Sequence, residues 1–201
     1  MKPKKSQIEI LNLFRKNIFL SKTIREISLI LKKPYSKVHE TIKDLENQNI
    51  LKLKKIGNSN ICELSFSQES ISFLSFLDQQ ESLSKKIPNI RRILEFKEFL
   101  DDIILITGSY AKNKQTEKSD IDILIITKAG VFKKQKLLEN LTLIFKPVIH
   151  PIVVTYKNFI DMLLSKEENL GKEAFKNHLI FRNSERYYLL IKEAIEHGFR
   201  I

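Results

Sequence analysis

Apolar residues recur at helical spacing through the first fifty positions of the chain. Ile8, Leu11 and Phe14, with Ile10 and Ile18 nearby, predict a helix over Lys5–Lys16. A second helix should start after Ser21 or Thr23, either of which can cap it, with Glu26 in its first turn and Ile24, Ile27 and Leu31 facing in. Lys32-Lys33-Pro34 interrupts the pattern, and Pro34 suits the first turn of a third helix, where a missing N–H costs nothing. That helix turns Val38, Ile42 and Leu45 inward and leaves Tyr35, Ser36, Lys37, His39, Glu40 and Lys43 outside. The period then changes to two. Ile50–Ile56 nearly alternates apolar with basic residues, Gly57-Asn58-Ser59-Asn60 reads as a turn, and Ile61–Phe66 as the returning strand. Residues 67–90, with Ile71, Phe73, Leu74, Phe76 and Leu77, read as a connecting helix that stops by Pro88.

The rest alternates between types of element. Ile90–Leu100 predicts an amphipathic helix, and Ile103–Thr107 a short buried strand. A second strand follows around Ile121–Ile126, then a helix over Val131–Lys146 with Leu137, Leu138, Leu141, Ile144 and Phe145 facing in, then a strand over Val148–Val154. Three helices close the chain, Phe159–Ser165, Leu170–His178 and Arg186–His197, with a short extended piece at Ile180-Phe181. No internal repeat or low-complexity stretch interrupts this order. The fold class is α+β, in three parts: a first domain over 1–66 of three helices plus a β-hairpin, a linker helix over 67–88, and a mixed sheet with packed helices over 89–201.

Charge sharpens that division. Residues 1–65 carry 14 Lys/Arg against 6 Asp/Glu, whereas residues 66–201 carry 21 against 18. The basic excess of a chain with net charge +11 therefore sits in its first third, the electrostatic footprint of a nucleic-acid-binding module. Cys62 is the only cysteine, which rules out an internal disulfide or a thiolate zinc cluster. No apolar run approaches the roughly 18 residues that a bilayer requires. The reading is a cytoplasmic protein without a membrane partner.

The stretch from Gly108 to Asp122 carries the chemistry. A glycine directly after a buried strand lets a phosphate approach the backbone, and a following helix turns free N–H groups toward the anion. Ser109 adds a hydroxyl. Asp120 and Asp122, two apart on a strand, leave the same face, with Ile121 and Ile123 buried opposite. Two adjacent carboxylates repel one another until a divalent cation joins them. Cradle and acidic pair together predict a metal–triphosphate site.

That stretch resembles the Gly-Ser…Asp-x-Asp signature of the DNA polymerase β-like nucleotidyltransferase superfamily, and its minimal nucleotidyltransferases in particular, with Ala111, Thr116 and Ser119 also in place. The resemblance implies that Gly108, Ser109 and Ser119 hold a nucleoside triphosphate such as ATP. It implies too that Asp120 and Asp122 bind Mg²⁺ or Mn²⁺ for in-line attack on the α-phosphate. Two positions depart from the pattern. Asn113 stands where the family has a glycine, a change that a left-handed backbone at asparagine would absorb. The strand expected to bring a third carboxylate has none, and His150 is its nearest polar residue. His150 is then either a neutral base or weak ligand, or a strand-end histidine without a role. Lys172, Arg182 and Tyr187 are further possible base or phosphate contacts.

The first domain resembles the winged helix-turn-helix of bacterial and archaeal transcription regulators, through Pro34–His39, Leu45 and Asn49-Ile50-Leu51. The resemblance implies double-stranded DNA as partner. Tyr35, Ser36, Lys37, His39 and Lys43 would face the major groove, with Lys52, Lys54 and Lys55 on phosphates. A protein acceptor such as a toxin partner, and a homodimer, stay open.

Overall fold

The structure, a computed structural model, describes residues 3–57 and 59–200. Asn58, expected in the hairpin turn, lies outside the described residues. The chain forms two compact units, one holding the residues up to Leu77 together with Arg200, the other Asp78–Phe199.

In the first unit, helix α1 (Lys5–Lys16) is followed by a two-residue strand β1 (Lys22–Thr23), α2 (Ile24–Leu31), α3 (Tyr35–Asn47) and the hairpin β2 (Leu51–Ile56) and β3 (Ser59–Leu64). The sheet order is β1-β3-β2, with both pairings antiparallel. Thr23 starts α2 with a capping box: its hydroxyl accepts from the Glu26 N–H while the Glu26 carboxylate accepts from the Thr23 N–H at 2.8 Å. Hydrogen bonds from the Lys22 ammonium and from the Thr23 backbone and hydroxyl hold the Glu26 carboxyl down at about 2. Ile10, Leu11, Phe14, Ile27, Ile42, Leu45 and Leu51 are each at most 1% exposed and form the core of this unit. Leu31, expected inside, is only half-buried, because it ends α2 just before the left-handed turn at Lys32, φ +52°.

The connecting helix α4 runs Gln68–Ser84. Of its apolar residues Ile71, Leu74 and Leu77 are buried, while Phe73 and Phe76 are half-buried, so a single i, i+3, i+6 stripe carries the packing.

The second unit is built on a four-stranded sheet of order β6-β5-β4-β7, from β4 (Ile103–Ile106), β5 (Ile121–Thr127), β6 (Ile149–Thr155) and β7 (Leu179–Arg182). β4 pairs antiparallel with β5 and β7, and β5 pairs parallel with β6. Every residue of β4 is fully buried, which is why its sequence is an unbroken apolar run rather than an alternation. Ile104, Ile106, Ile121, Ile123, Ile125, Ile149 and Val153 share one core with Ile93 of α5 (Ile90–Leu94) and Leu138 of α7 (Val131–Thr142). Over the opposite face pack α8 (Tyr156–Leu164) and α10 (Ser184–Glu196); α9 (Leu170–Lys176) packs on α8. The outer edge of β6 is closed by a side chain: the Gln135 amide donates to Pro151 O at 2.9 Å and accepts from the Val153 N–H at 2.8 Å, standing in for a neighbouring strand. Among the described residues no helix is long and apolar enough to cross a membrane.

Two expected helices are shorter in the structure. The segment 90–100 breaks into α5 and a 3-10 turn at Lys97–Phe99. Helix α7 ends at Thr142, so Ile144, expected inside, is 84% exposed, while Phe145 folds back into the core. In both cases the apolar spacing continues beyond the end of the helix, and spacing alone does not mark where hydrogen bonding stops.

Cys62 is fully buried, and burial pushes its thiol up to about 12 from an ordinary 9.0; the Glu46 carboxylate adds to the rise and Lys43 opposes it. A folded-state value above the unfolded one means that this stabilisation is whole below pH 9 and is lost as pH rises toward 12. At pH 8.5 a thiol-specific reagent should label Cys62 at least a hundredfold more slowly in native protein than in denaturant. Native labelling at the denatured rate would contradict the burial.

Candidate nucleotide site

β4 ends at Ile106, and the Thr107 N–H still donates to Asp122 O at 3.0 Å, so the β4/β5 pairing continues to the start of β5. Gly108 then turns left-handed, φ +65°, and opens the single turn α6 (Gly108–Ala111). A methyl group on Gly108 would lie 2.0 Å from Asp122 Oδ2, inside the carboxylate. Glycine is needed here twice: for the backbone conformation, and because the Asp122 side chain lies against its α-carbon.

Asp120 and Asp122 bracket Ile121, which is fully buried. Their side chains are 44% and 43% exposed, open to solvent at the mouth of the sheet. The loop before Asp120 is set by a turn in which Thr116 N–H donates to Ser119 Oγ at 2.8 Å and Ser119 N–H to Thr116 O at 3.0 Å. The Ser119 hydroxyl thus shapes the approach to Asp120.

His150 stands directly beside Asp122 across the parallel β5/β6 pairing. Its Nε2 is 3.6 Å from Asp120 Oδ2 and its Nδ1 3.6 Å from Asp122 Oδ1, both just beyond hydrogen-bond reach. The residue expected nearest the place of a third carboxylate is therefore brought into the cluster. Among the described residues no group of three or more His, Cys, Asp or Glu is arranged to hold a metal ion. The two carboxylates could supply two oxygen ligands to a divalent cation, the rest of whose shell would come from phosphates and water.

Asn113 takes the left-handed conformation that a glycine would, φ +53°, so its departure from the family pattern leaves the loop intact. Its side-chain oxygen accepts from Lys85 Nζ at 2.8 Å, and Lys112 pairs with Glu173 of α9 at 2.8 Å. Apolar periodicity singles out neither contact; the only trace of the first in the sequence is the Lys85-Lys86 doublet.

Two of the three C-terminal contacts proposed from sequence, Tyr187 and Arg182, are taken up by the fold. Tyr187 is 1% exposed, and burial, with the Asp78 carboxylate, raises its hydroxyl well above the ordinary value; it lies beside His178 in the core and is closed to a nucleotide. Arg182 donates to Leu94 O and Phe99 O, tying β7 to the turn before β4. Lys172 is half-buried, and its N–H takes the cap of α9 from Asn169.

In the first unit Tyr35 is 52% exposed, and Ser36, Lys37 and Lys43 are exposed on the same helix. His39 is half-buried with its ring 5.8 Å from that of Tyr35. Lys43 pairs with Glu46 at 2.8 Å, and Lys52 pairs across the hairpin with Glu63 at 3.2 Å. Lys54 and Lys55 are exposed and make no ion pair among the described residues.

Gly130 supplies an internal control for Gly108, since it too is left-handed, φ +78°, but has nothing within 4 Å of an added methyl. Gly108→Ala and Gly130→Ala should each cost about 1–2 kcal/mol of stability for the strained backbone. Only Gly108→Ala should also weaken Mg–ATP binding, by at least tenfold in calorimetry. Equal nucleotide affinities in the two variants would remove Gly108 from the site.

No curated protein matches the chain. Residues 87–182, which include the whole Gly108–Asp122 stretch and His150, match the family model described as a nucleotidyltransferase domain. The match supports the polymerase β-like superfamily for this part of the chain, and nucleotidyl transfer as its general chemistry.

Proposed function

We propose that the chain is a cytoplasmic, Mg²⁺-dependent nucleotidyltransferase that uses a nucleoside triphosphate such as ATP and is tethered to duplex DNA by a winged helix over residues 1–66. The observation that carries the transferase reading is the packing of Asp122 against Gly108, with Asp120 and His150 beside it. Asp120 and Asp122 would hold Mg²⁺, which when bound supplies charge compensation at the triphosphate. Gly108 and Ser109 lay backbone N–H groups and a hydroxyl along the phosphates. His150 takes the proton of an acceptor hydroxyl as its oxygen bonds to the α-phosphorus; the bond from the α-phosphorus to the bridging oxygen breaks, and pyrophosphate leaves. Removal of such a base typically costs 10²–10⁴-fold in rate.

A second reading has one specific observation in its favour, namely that β6, the strand expected to bring a third carboxylate, carries no Asp or Glu and brings His150 to the cluster instead. The domain would then bind Mg–nucleotide without turnover and bias the DNA-binding unit between two states. The two readings separate when the chain is incubated with α-labelled ATP, Mg²⁺ and host lysate. A transferase moves label to an acceptor; Asp120→Asn with Asp122→Asn abolishes transfer, and His150→Ala lowers it by about a hundredfold or more. A sensor moves no label, but its affinity for duplex DNA changes on addition of Mg–ATP. Neither label transfer nor a nucleotide effect on DNA binding would defeat both.

The winged-helix reading is supported by the order of three helices and a hairpin, and by the exposed N-terminal turn of α3. Each phosphate contact contributes a slope of about −0.9 in log K against log salt on duplex DNA. Lys54→Ala with Lys55→Ala should flatten that slope by about 1.8, and Lys52→Ala by less, because Glu63 already holds Lys52. Ser36→Ala and His39→Ala should change sequence preference instead. A full-length chain that shifts no duplex at low salt would remove this half of the proposal.

A further inference from the structure

Lys22, Lys112 and Lys176 each pair with a carboxylate, that of Glu26, Glu173 and Glu168 respectively. One basic segment is denser. Lys85, Lys86, Arg91 and Arg92 fall within eight residues, and none makes an ion pair among the described residues. They line a concavity of about 650 Å³ on the second unit, together with the apolar side chains of Leu83 and Pro88. Leu83 is 82% exposed, so apolar surface is open to solvent between the cations. Arg92 lies over the Phe145 ring, its guanidinium carbon 5.5 Å from the ring centre, and Asn89 anchors the turn by donating to Lys146 O at 3.1 Å. The concavity adjoins the nucleotide site: Lys85 Nζ donates to Asn113 Oδ1 at 2.8 Å, on the loop that leaves α6.

Four cations without counter-charge repel one another and gain most from a polyanion, while an isolated phosphate would meet only one or two of them. The exposed Leu83, with the half-buried Pro88, beside these cations fits a ligand with charged and flat apolar groups in alternation. A single nucleic-acid strand has that alternation, with phosphates for Lys and Arg and base faces for Leu83 and Pro88. We propose that this concavity binds single-stranded nucleic acid and presents a strand hydroxyl to the Asp120/Asp122 site as acceptor. The acceptor role rests on the transferase reading; the binding does not, and it is measured without nucleotide.

The test uses the full-length chain carrying Lys54→Ala and Lys55→Ala, which mutes the duplex-binding unit, and fluorescein-labelled 12-nucleotide RNA and DNA single strands in anisotropy titrations. Replacing Lys85, Lys86, Arg91 and Arg92 by Ala should weaken binding at least tenfold and flatten the salt slope by up to about 2.8, at about 0.7 per phosphate on a single strand. The residual affinity for duplex DNA should not change. Because Arg92 stacks on Phe145, a second variant, Lys85→Gln with Lys86→Gln and Arg91→Gln, leaves that contact intact and should still flatten the slope by about 2. Comparison of the RNA and DNA arms identifies which strand is preferred. Unchanged single-strand binding in both variants overturns the proposal. So does binding of a poly-glutamate peptide that is lost in the variants while neither strand binds, which would make the partner an acidic protein. If strands bind as expected and α-labelled nucleotide never appears on them, the binding surface stands and the acceptor role falls.

Discussion

The close approach of Gly108 to Asp122 is the constraint on which the second unit turns. A carboxylate occupies the space of a side chain that Gly108 does not have, and the Thr107 N–H bond to Asp122 O fixes the separation of the two backbones. Three features must agree for this to happen. The antiparallel β4/β5 register has to bring residue 107 level with residue 122, β4 has to end where it does, and residue 108 has to turn left-handed. The fully buried β4 supplies the rigidity: a slip of one residue would turn all four of its apolar side chains to the opposite face and spoil the packing on both. The apolar core thus positions two charged groups that by themselves would separate.

The parallel pairing of β5 with β6 extends the same logic by one strand. Strands in a parallel pair carry level residues on the same face, so Asp122 level with His150 places the imidazole beside the carboxylates. Gln135 then closes the outside of β6, which keeps a strand bearing part of the site at the sheet edge without leaving its backbone open to a further strand.

Much of this could be read from the sequence, for identifiable reasons. Period-two and period-3.6 patterns located the elements because burial is strongly one-sided in α1, α3 and the hairpin, and complete in β4. The Gly-Ser and Asp-x-Asp spacing located the acidic pair because strand geometry alone puts residues 120 and 122 on one face, and the level placement of His150 followed from the strand after the next helix. Helix ends were harder. Apolar spacing runs past Thr142 into Ile144 and past Leu94 into Phe99, and the hydrogen bonds that stop each helix leave no mark on hydropathy. Contacts between distant segments were not readable at all: Lys85 with Asn113, Lys112 with Glu173 and Gln135 with β6 depend on the meeting of loops and edges. Tyr187 shows the converse error, in which a polar-tipped aromatic at a plausible distance along the chain turns out to be core.

Histidine in place of a carboxylate changes the electrostatics of the site in a definite direction. Two aspartates and a histidine give the cluster one carboxylate fewer than a third acidic residue would. A unit charge at about 4 Å counts for about 4 kcal/mol at an effective dielectric of 20. A divalent ion shared by the two aspartates loses comparatively little, since both of its carboxylate ligands are still present. An ion that depended on the third group loses an anionic ligand and that share of attraction. The approaching triphosphate, in contrast, meets less repulsion. On the proposed transferase reading the arrangement would favour nucleotide bound with a single cation, and deprotonation of the acceptor would fall to the imidazole, which is 58% exposed at the edge strand. An acceptor, on that reading, would approach from the open side on which Asp120, Asp122 and His150 are exposed.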